Sequence, residues 1–224
     1  HLHNHSQYSI LQSTIKIDDL IKKEAENYMP SVALTDSGNM MAAFHFVRAA
    51  INHTKGIKGK IKAAEEELQE NPDSEELKVK LSRLKRQTVK PIVGCEFNVC
   101  KDRTNKSQKD NGAQVPLLAK NKKGYHNVAK LASAAFVEGF YYVPRVDKTI
   151  IQELKGDVIA LTGGLQGEIP NLILNVGEQQ AEEAFVWWHE QFGEDFYVEL
   201  IRHGLEEENR VNDTLLRFAT KYGV

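Results

Sequence analysis

The chain has 224 residues, 41% hydrophobic and 27% charged, with a formal net charge of -2. That length gives one large domain or two small ones with an ample core. The near-neutral charge excludes the strongly basic kind of autonomous nucleic-acid binder. No apolar run reaches the length a membrane helix needs, and no secretory pattern is present. Cys95 and Cys100 are the two cysteines, too few for a disulfide framework, so a reducing cytoplasm is the expected setting.

The first five residues, His1-Leu2-His3-Asn4-His5, put imidazoles at alternate positions. Alternate side chains of an extended segment share a face, so His1, His3 and His5 are predicted to project together and could share a metal. A purification tag or a solvated strand face gives a similar pattern. A tag, however, is a run of consecutive histidines, and the following Ser-Gln-Tyr-Ser-Ile-Leu reads as native.

Residues 18–28 carry Leu20, Ile21 and Ala25 at helical spacing, ended by Met29-Pro30. A short apolar strand over 32–36 turns through Ser37-Gly38-Asn39 into a helix running to about 53. Strands follow over 91–99 and 115–119, a helix over 124–137, and a buried strand over 157–162 before Gly163-Gly164. A helix over 178–192 leads to a strand over 196–201 and a last amphipathic helix over 206–222. This alternation predicts an α/β fold with a largely parallel sheet.

Two insertions interrupt it. Residues 101–113 are polar and aperiodic, which predicts a mobile loop without assigned function. Residues 55–90 show two apolar stripes, Ile57-Ile61-Ala64-Leu68 and Leu77-Leu81-Leu84, around Asn71-Pro72-Asp73-Ser74. They predict a protruding antiparallel helical hairpin, with Asp73 capping the second helix and Glu76 completing a capping box. Its base is rich in lysine (Lys55, Lys58, Lys60, Lys62) and its tip in glutamate (Glu65, Glu66, Glu67, Glu70). Such an arm is either a solvated decoration or a docking arm, since two helices this short need an anchored base or a partner.

Asp36 and Glu96 sit at or near the ends of apolar strands, where barrel enzymes place their chemistry. Each alone is equally a helix-capping or solvent-facing strand-end carboxylate. Joined to His3 and His5, they suit Zn²⁺, Mn²⁺ or Fe²⁺. Such an ion acidifies bound water and polarises a phosphoryl oxygen, the route to phosphoester hydrolysis.

Seven segments extend this: HLHNHSQYSILQ, ALTDSGNMMAAFHF, KPIVGCEFNV, PLLAKNKKGYHNVAKLAS, EGFYYVPRVD, LTGGLQGEIP and FYVELIRHGLEEENRVN. In type and order they resemble the polymerase and histidinol phosphatase (PHP) domain at the N-terminus of bacterial replicative DNA polymerase III alpha subunits. GFYYVPR and LLAKNKKGYHN resemble the polymerase branch rather than stand-alone phosphatases. The hairpin at 55–90 departs from the family, which passes almost directly from Gly-Ile-Lys to Pro-Ile-Val-Gly.

The resemblance implies a distorted (β/α)7 barrel with a multinuclear metal cluster at the strand ends and, where the cluster is intact, a metal-dependent 3′–5′ exonuclease. It maps the His-x-His ligands to His3 and His5 and the Gly-x-Glu ligand to Glu96. At other ligand positions it finds Gln12, Ser37, Gln114 and Gly164, and it puts a final Asp-x-His pair beyond Val224, so the barrel is expected to be C-terminally truncated. Four of seven ligand positions are replaced by groups that bind transition metals poorly. A cluster is therefore not expected, and at best one weakly held Zn, Mn or Mg ion is. The implied function is an architectural PHP domain, residues 1–224, of a longer DNA-directed DNA polymerase. Its implied partners are the rest of that chain, replisome proteins such as a proofreading exonuclease, and DNA through the full-length protein. The alternative is an active exonuclease or phosphoesterase using His3, His5 and Glu96, with Asp36 and His203 as catalytic candidates. A third reading, a small-substrate phosphatase, fits the polymerase-like segments less well.

The remaining candidates carry bland readings. His203 is expected as a rim residue bonded to backbone, His45 and His126 as packing or surface histidines, and Arg145 and Arg202 as surface arginines within reach of phosphate. Trp187-Trp188 lacks the basic neighbours of a base-stacking platform. Gly163-Gly164 lacks a nucleotide-binding fingerprint.

Overall fold

The computed structural model describes residues 1–224, with six strands and eight α-helices in two compact units. The first unit comprises His1–Leu34 and Met41–Val93. Helix α1, Ile17–Glu26, buries Ile17, Leu20, Ile21 and Ala25, the i, i+3, i+4, i+8 face its sequence displays. Strand β1, Ser31–Leu34, pairs in parallel with the start of strand β2, Lys90–Cys100, in the register Ser31↔Lys90 to Leu34↔Val93. Val32, Leu34, Phe46, Ala50 and Val89 join the α1 residues in one core cluster.

Helix α2 runs unbroken over Ala43–Glu70 instead of stopping near residue 53. Phe46, Ala50, Ile57 and Ala64 keep one buried stripe going, and no proline or cap interrupts it. Helix α3, Glu75–Lys85, returns antiparallel, with ion pairs Lys80–Glu67 at 2.9 Å and Lys85–Glu65 at 3.1 Å. Its cap is Ser74 rather than Asp73: the hydroxyl accepts from the Leu77 amide at 3.3 Å. At the base, the Thr54 hydroxyl donates to the Val89 carbonyl at 3.3 Å, and His53 Nε2 lies 3.1 Å from the Gln87 carbonyl.

The second unit comprises Thr35–Met40 and Gly94–Val224. Its strands are the rest of β2, β3 (Ala113–Ala119), β4 (Arg145–Asp147), β5 (Val158–Leu161) and β6 (Phe196–Tyr197). Pairing is mixed rather than largely parallel: β2–β3 and β3–β5 are antiparallel, β2–β4 and β5–β6 parallel. The segment from β2 to β3 contains no helix, and a parallel partner needs a crossover of a dozen or more residues, usually helical. Helices α4 (Lys122–Val137), α5 (Lys148–Leu154), α6 (Glu168–Asn175), α7 (Glu178–Phe192) and α8 (Glu206–Tyr222) accompany these strands. Leu117, Leu131, Ile151, Ile173, Phe185 and Trp188 lie at the centre of this unit's core.

β6 is two residues long, against the six expected. Beyond it the chain is held by side chains instead of a ladder: Thr162 Oγ1 accepts from the Glu199 amide, and Asn212 donates to the Ile201 carbonyl, each at 2.9 Å. Residues 101–112 lack regular structure, and β3 begins at Ala113, but the loop is tied down. Arg145, expected at the surface, is fully buried and donates to the carbonyls of Arg103, Asn105, Asp110 and Gly139. Arg103 in turn pairs with Asp147 at 3.0 Å and Glu138 at 2.8 Å. No helix is long and apolar enough to cross a membrane.

Candidate metal site

In the first unit, residues 1–5 form no regular strand, and their burial does not alternate: His1 and Leu2 are exposed, and His3, Asn4 and His5 are all half-buried. The Ala33 amide donates to the His1 carbonyl at 2.9 Å, and the Asn4 amide donates to the carbonyls of His1 and Ala33. Asn4 fastens the segment to β1, while the half-buried His3 and His5 rings meet edge to face, centroids 5.5 Å apart. The Ser13 hydroxyl holds the His5 carbonyl at 2.7 Å. His1 is exposed.

In the second unit, Asp36 and Glu96 are both 2% exposed. The Glu96 amide donates to the Asp36 carbonyl at 3.2 Å, and the Gly38 amide to the Glu96 carbonyl at 2.7 Å. Ser37 and Glu96 form an isolated parallel bridge, so the turn after β1 continues the pairing with β2. Gly38 has φ +66°, and a Cβ there would lie 2.6 Å from the Pro144 ring. Only glycine meets both demands. Burial, with the charges of Glu96 and Asp36 adding to it, pushes the Cys95 thiol well above its ordinary range. Its Sγ donates to the Asp36 carbonyl at 3.4 Å, the behaviour of a buried neutral thiol.

The other positions offer little to a metal. Gln12 is exposed, and Gln114 sits in β3 opposite Asn98, its backbone amide bonded to the Gln166 carbonyl. Gly164 offers no side chain, and a Cβ there would lie 2.9 Å from Ile201 Cδ1, the end of a side chain that could shift. His203 is bonded to a carboxylate rather than to backbone: Nδ1 lies 2.8 Å from Glu208 Oε1, and its amide donates to Glu208 Oε2 at 2.6 Å. Burial alone would raise the Glu208 carboxyl, but the donors of His203 and Leu205 hold it below the usual carboxylate range.

Sequence reading missed a cluster around Glu168. Trp188 Nε1 donates to its Oε2 and Lys148 Nζ to its Oε1, both at 2.7 Å, while Lys148 lies 4.4 Å over the Trp187 ring. The tryptophan pair is thus part of the packing. Its signal would have been the lysine and glutamate that α5 and α6 bring to it, two elements the periodicity left unmarked.

The PHP domain family profile matches residues 1–203. Among curated proteins, the chain is 34% identical over 228 residues to the DNA polymerase III subunit alpha of Borreliella burgdorferi. It is 35% identical to that of Thermus aquaticus and 32% to that of Deinococcus radiodurans. Each alignment covers 100% of this chain but only 17%, 16% and 15% of the respective relative. With His-x-His, Gly-x-Glu and the Thr-Asp-Ser-Gly turn all inside the matched span, the chain belongs to the PHP domain family.

Proposed function

We propose that this chain is the PHP portion of a bacterial replicative DNA polymerase alpha subunit and that it acts chiefly as an architectural element. The carrying observation is the family match over residues 1–203, with three relatives that all bear the alpha-subunit name. On this reading the strands belong to a distorted seven-stranded barrel, and residues 55–90 are an arm inserted into it. The partners are the rest of the polymerase chain, replisome proteins and, through the whole enzyme, DNA, in the cytoplasm.

The donor set bears on hydrolysis. His3, His5 and Glu96, the ligands that the family motifs assign, are two imidazoles and a carboxylate, a set whose chemistry suits one divalent ion completed by water. Such an ion would supply Lewis acidity and an acidified water. The amides of Gln12 and Gln114, the hydroxyl of Ser37 and the bare Gly164 do not fit a two- or three-metal cluster, because affinity follows ligand number and charge. Asp36 and His203 are not assigned catalytic roles, and the commitment of His203 to Glu208 counts against one.

Elemental analysis of purified protein, with hydrolysis of a 3′-labelled primer in added Mn²⁺ or Zn²⁺, tests this. The expected outcome is at most one ion per chain and no exonucleolytic release. Two or more ions, with activity abolished by His3→Ala, would establish the exonuclease reading instead.

A further inference from the structure

A cavity of about 420 Å³ in the first unit, at the base of α2 and α3, is lined by Ala50, Ile51, Lys55, Lys58 and Val89, and nothing in the structure says what would cover it. A second cavity, of about 410 Å³, is more informative. It is an open groove between segment 7–18 and helix α2, lined by Gln7, Lys16, Asp18, His45, Arg48 and Asn52. We propose that this second cavity binds a phosphate group carried by a nucleotide or a polynucleotide strand.

Three observations converge. First, two permanent cations and an imidazole face a single carboxylate, Asp18, within one cavity, and neither Lys16 nor Arg48 forms an ion pair. Unneutralised cations in a concave site focus potential on an incoming anion. Second, the His45 ring is stacked on Tyr8, centroids 6.3 Å apart and planes 20° apart, which orients it before any ligand arrives. Third, Lys16 is the N-cap residue of α1 and gives the helix no side-chain cap. The helix dipole opposes a cation at that position, and an anion bound beside it would relieve the cost. The guanidinium of Arg48 offers a planar fork and Lys16 a point charge, the pairing that suits phosphate oxygens. The volume exceeds that of a bare oxyanion, which favours a phosphate attached to something larger.

The test is a titration of the isotope-labelled protein with inorganic phosphate, thymidine 5′-monophosphate and oligothymidylate with and without a 5′-phosphate. EDTA is present throughout, so that any ion at His3, His5 and Glu96 plays no part. The expected result is a saturable shift of the Ile17–Leu20 amides and of the Arg48 side chain. Arg48→Ala should weaken binding about tenfold and Arg48→Lys less, as expected for loss of a charged hydrogen bond. Lys16→Ser separates function from folding: it restores a preferred cap, so melting temperature holds or rises while affinity falls. Equal saturation by inorganic phosphate identifies free phosphate as sufficient, and response to oligothymidylate alone identifies the strand. No saturable response in any arm, or responses unchanged in both Arg48→Ala and Lys16→Ser, would overturn the proposal.

Discussion

Arg145 places a full positive charge inside the second unit, and its guanidinium is satisfied by four backbone carbonyls instead of a carboxylate. Three of those carbonyls belong to the 101–112 loop, so one side chain from β4 organises a segment with no ladder of its own. Lysine keeps the charge but lacks the planar fork. Arg145→Lys is expected to destabilise the protein by about 3 kcal/mol, the scale of a broken buried charge network. Urea unfolding measures this, and faster amide exchange in the loop should accompany it. Glu24 is the opposite case. It is 6% exposed, its Oε2 has no hydrogen-bond partner, and burial raises its carboxyl above the usual range. The folded state therefore binds the proton more tightly than the unfolded chain does. Stability falls as pH rises through that range and is regained on acidification. Glu24→Gln should stabilise the protein at neutral pH, and the gain should vanish in acid, as thermal melts across pH would show. Glu208 has the reverse sign: its carboxyl is depressed, so its contribution is present at neutral pH and lost as pH falls.

The α2–α3 arm shows how elements divide labour. No residue between Ala50 and Val89 belongs to the first unit's core cluster, while Ile57 and Ala64 bury only along the arm. Replacing residues 59–86 by a short glycine turn is expected to leave a cooperative, folded protein, because the Thr54–Val89 bond and the core cluster remain. Loss of the cooperative melting transition would contradict this. Within the arm, Ser74→Ala removes the hydroxyl that caps α3 and should cost about 1 kcal/mol, read as increased amide exchange in that helix. The arm's existence was legible in its two apolar stripes. The continuity of α2 was not: the sequence predicts the end of one helix near residue 53 and the start of the arm at 55, whereas a single helix runs through Gly56 and Gly59. No neighbouring atom lies within 4 Å of where a Cβ would stand at either, so both are simply solvent-facing helix positions.

For the molecule as a whole, metal should act as a ligand rather than as a structural requirement. A single weakly held ion at ten times its dissociation constant adds about 1.4 kcal/mol, so Zn²⁺ or Mn²⁺ should raise the melting temperature modestly. EDTA should leave the chain folded, and His3→Ala should abolish the metal-induced shift. Unfolding on chelation would point to a multinuclear, fold-supporting centre. Periodicity alone placed α7 at Glu178–Phe192 and α8 at Glu206–Tyr222, and the ordered motifs carried the family. These are properties of contiguous residues: a buried helical face or a short motif is complete within its own segment. Strand direction around β3, the burial of Arg145, the capture of His203 by Glu208 and the cationic cavity of Lys16 and Arg48 were settled only in three dimensions. Each depends on which distant backbone or side chain satisfies a polar group, and that partner is chosen when the chain packs, not by its neighbours in sequence.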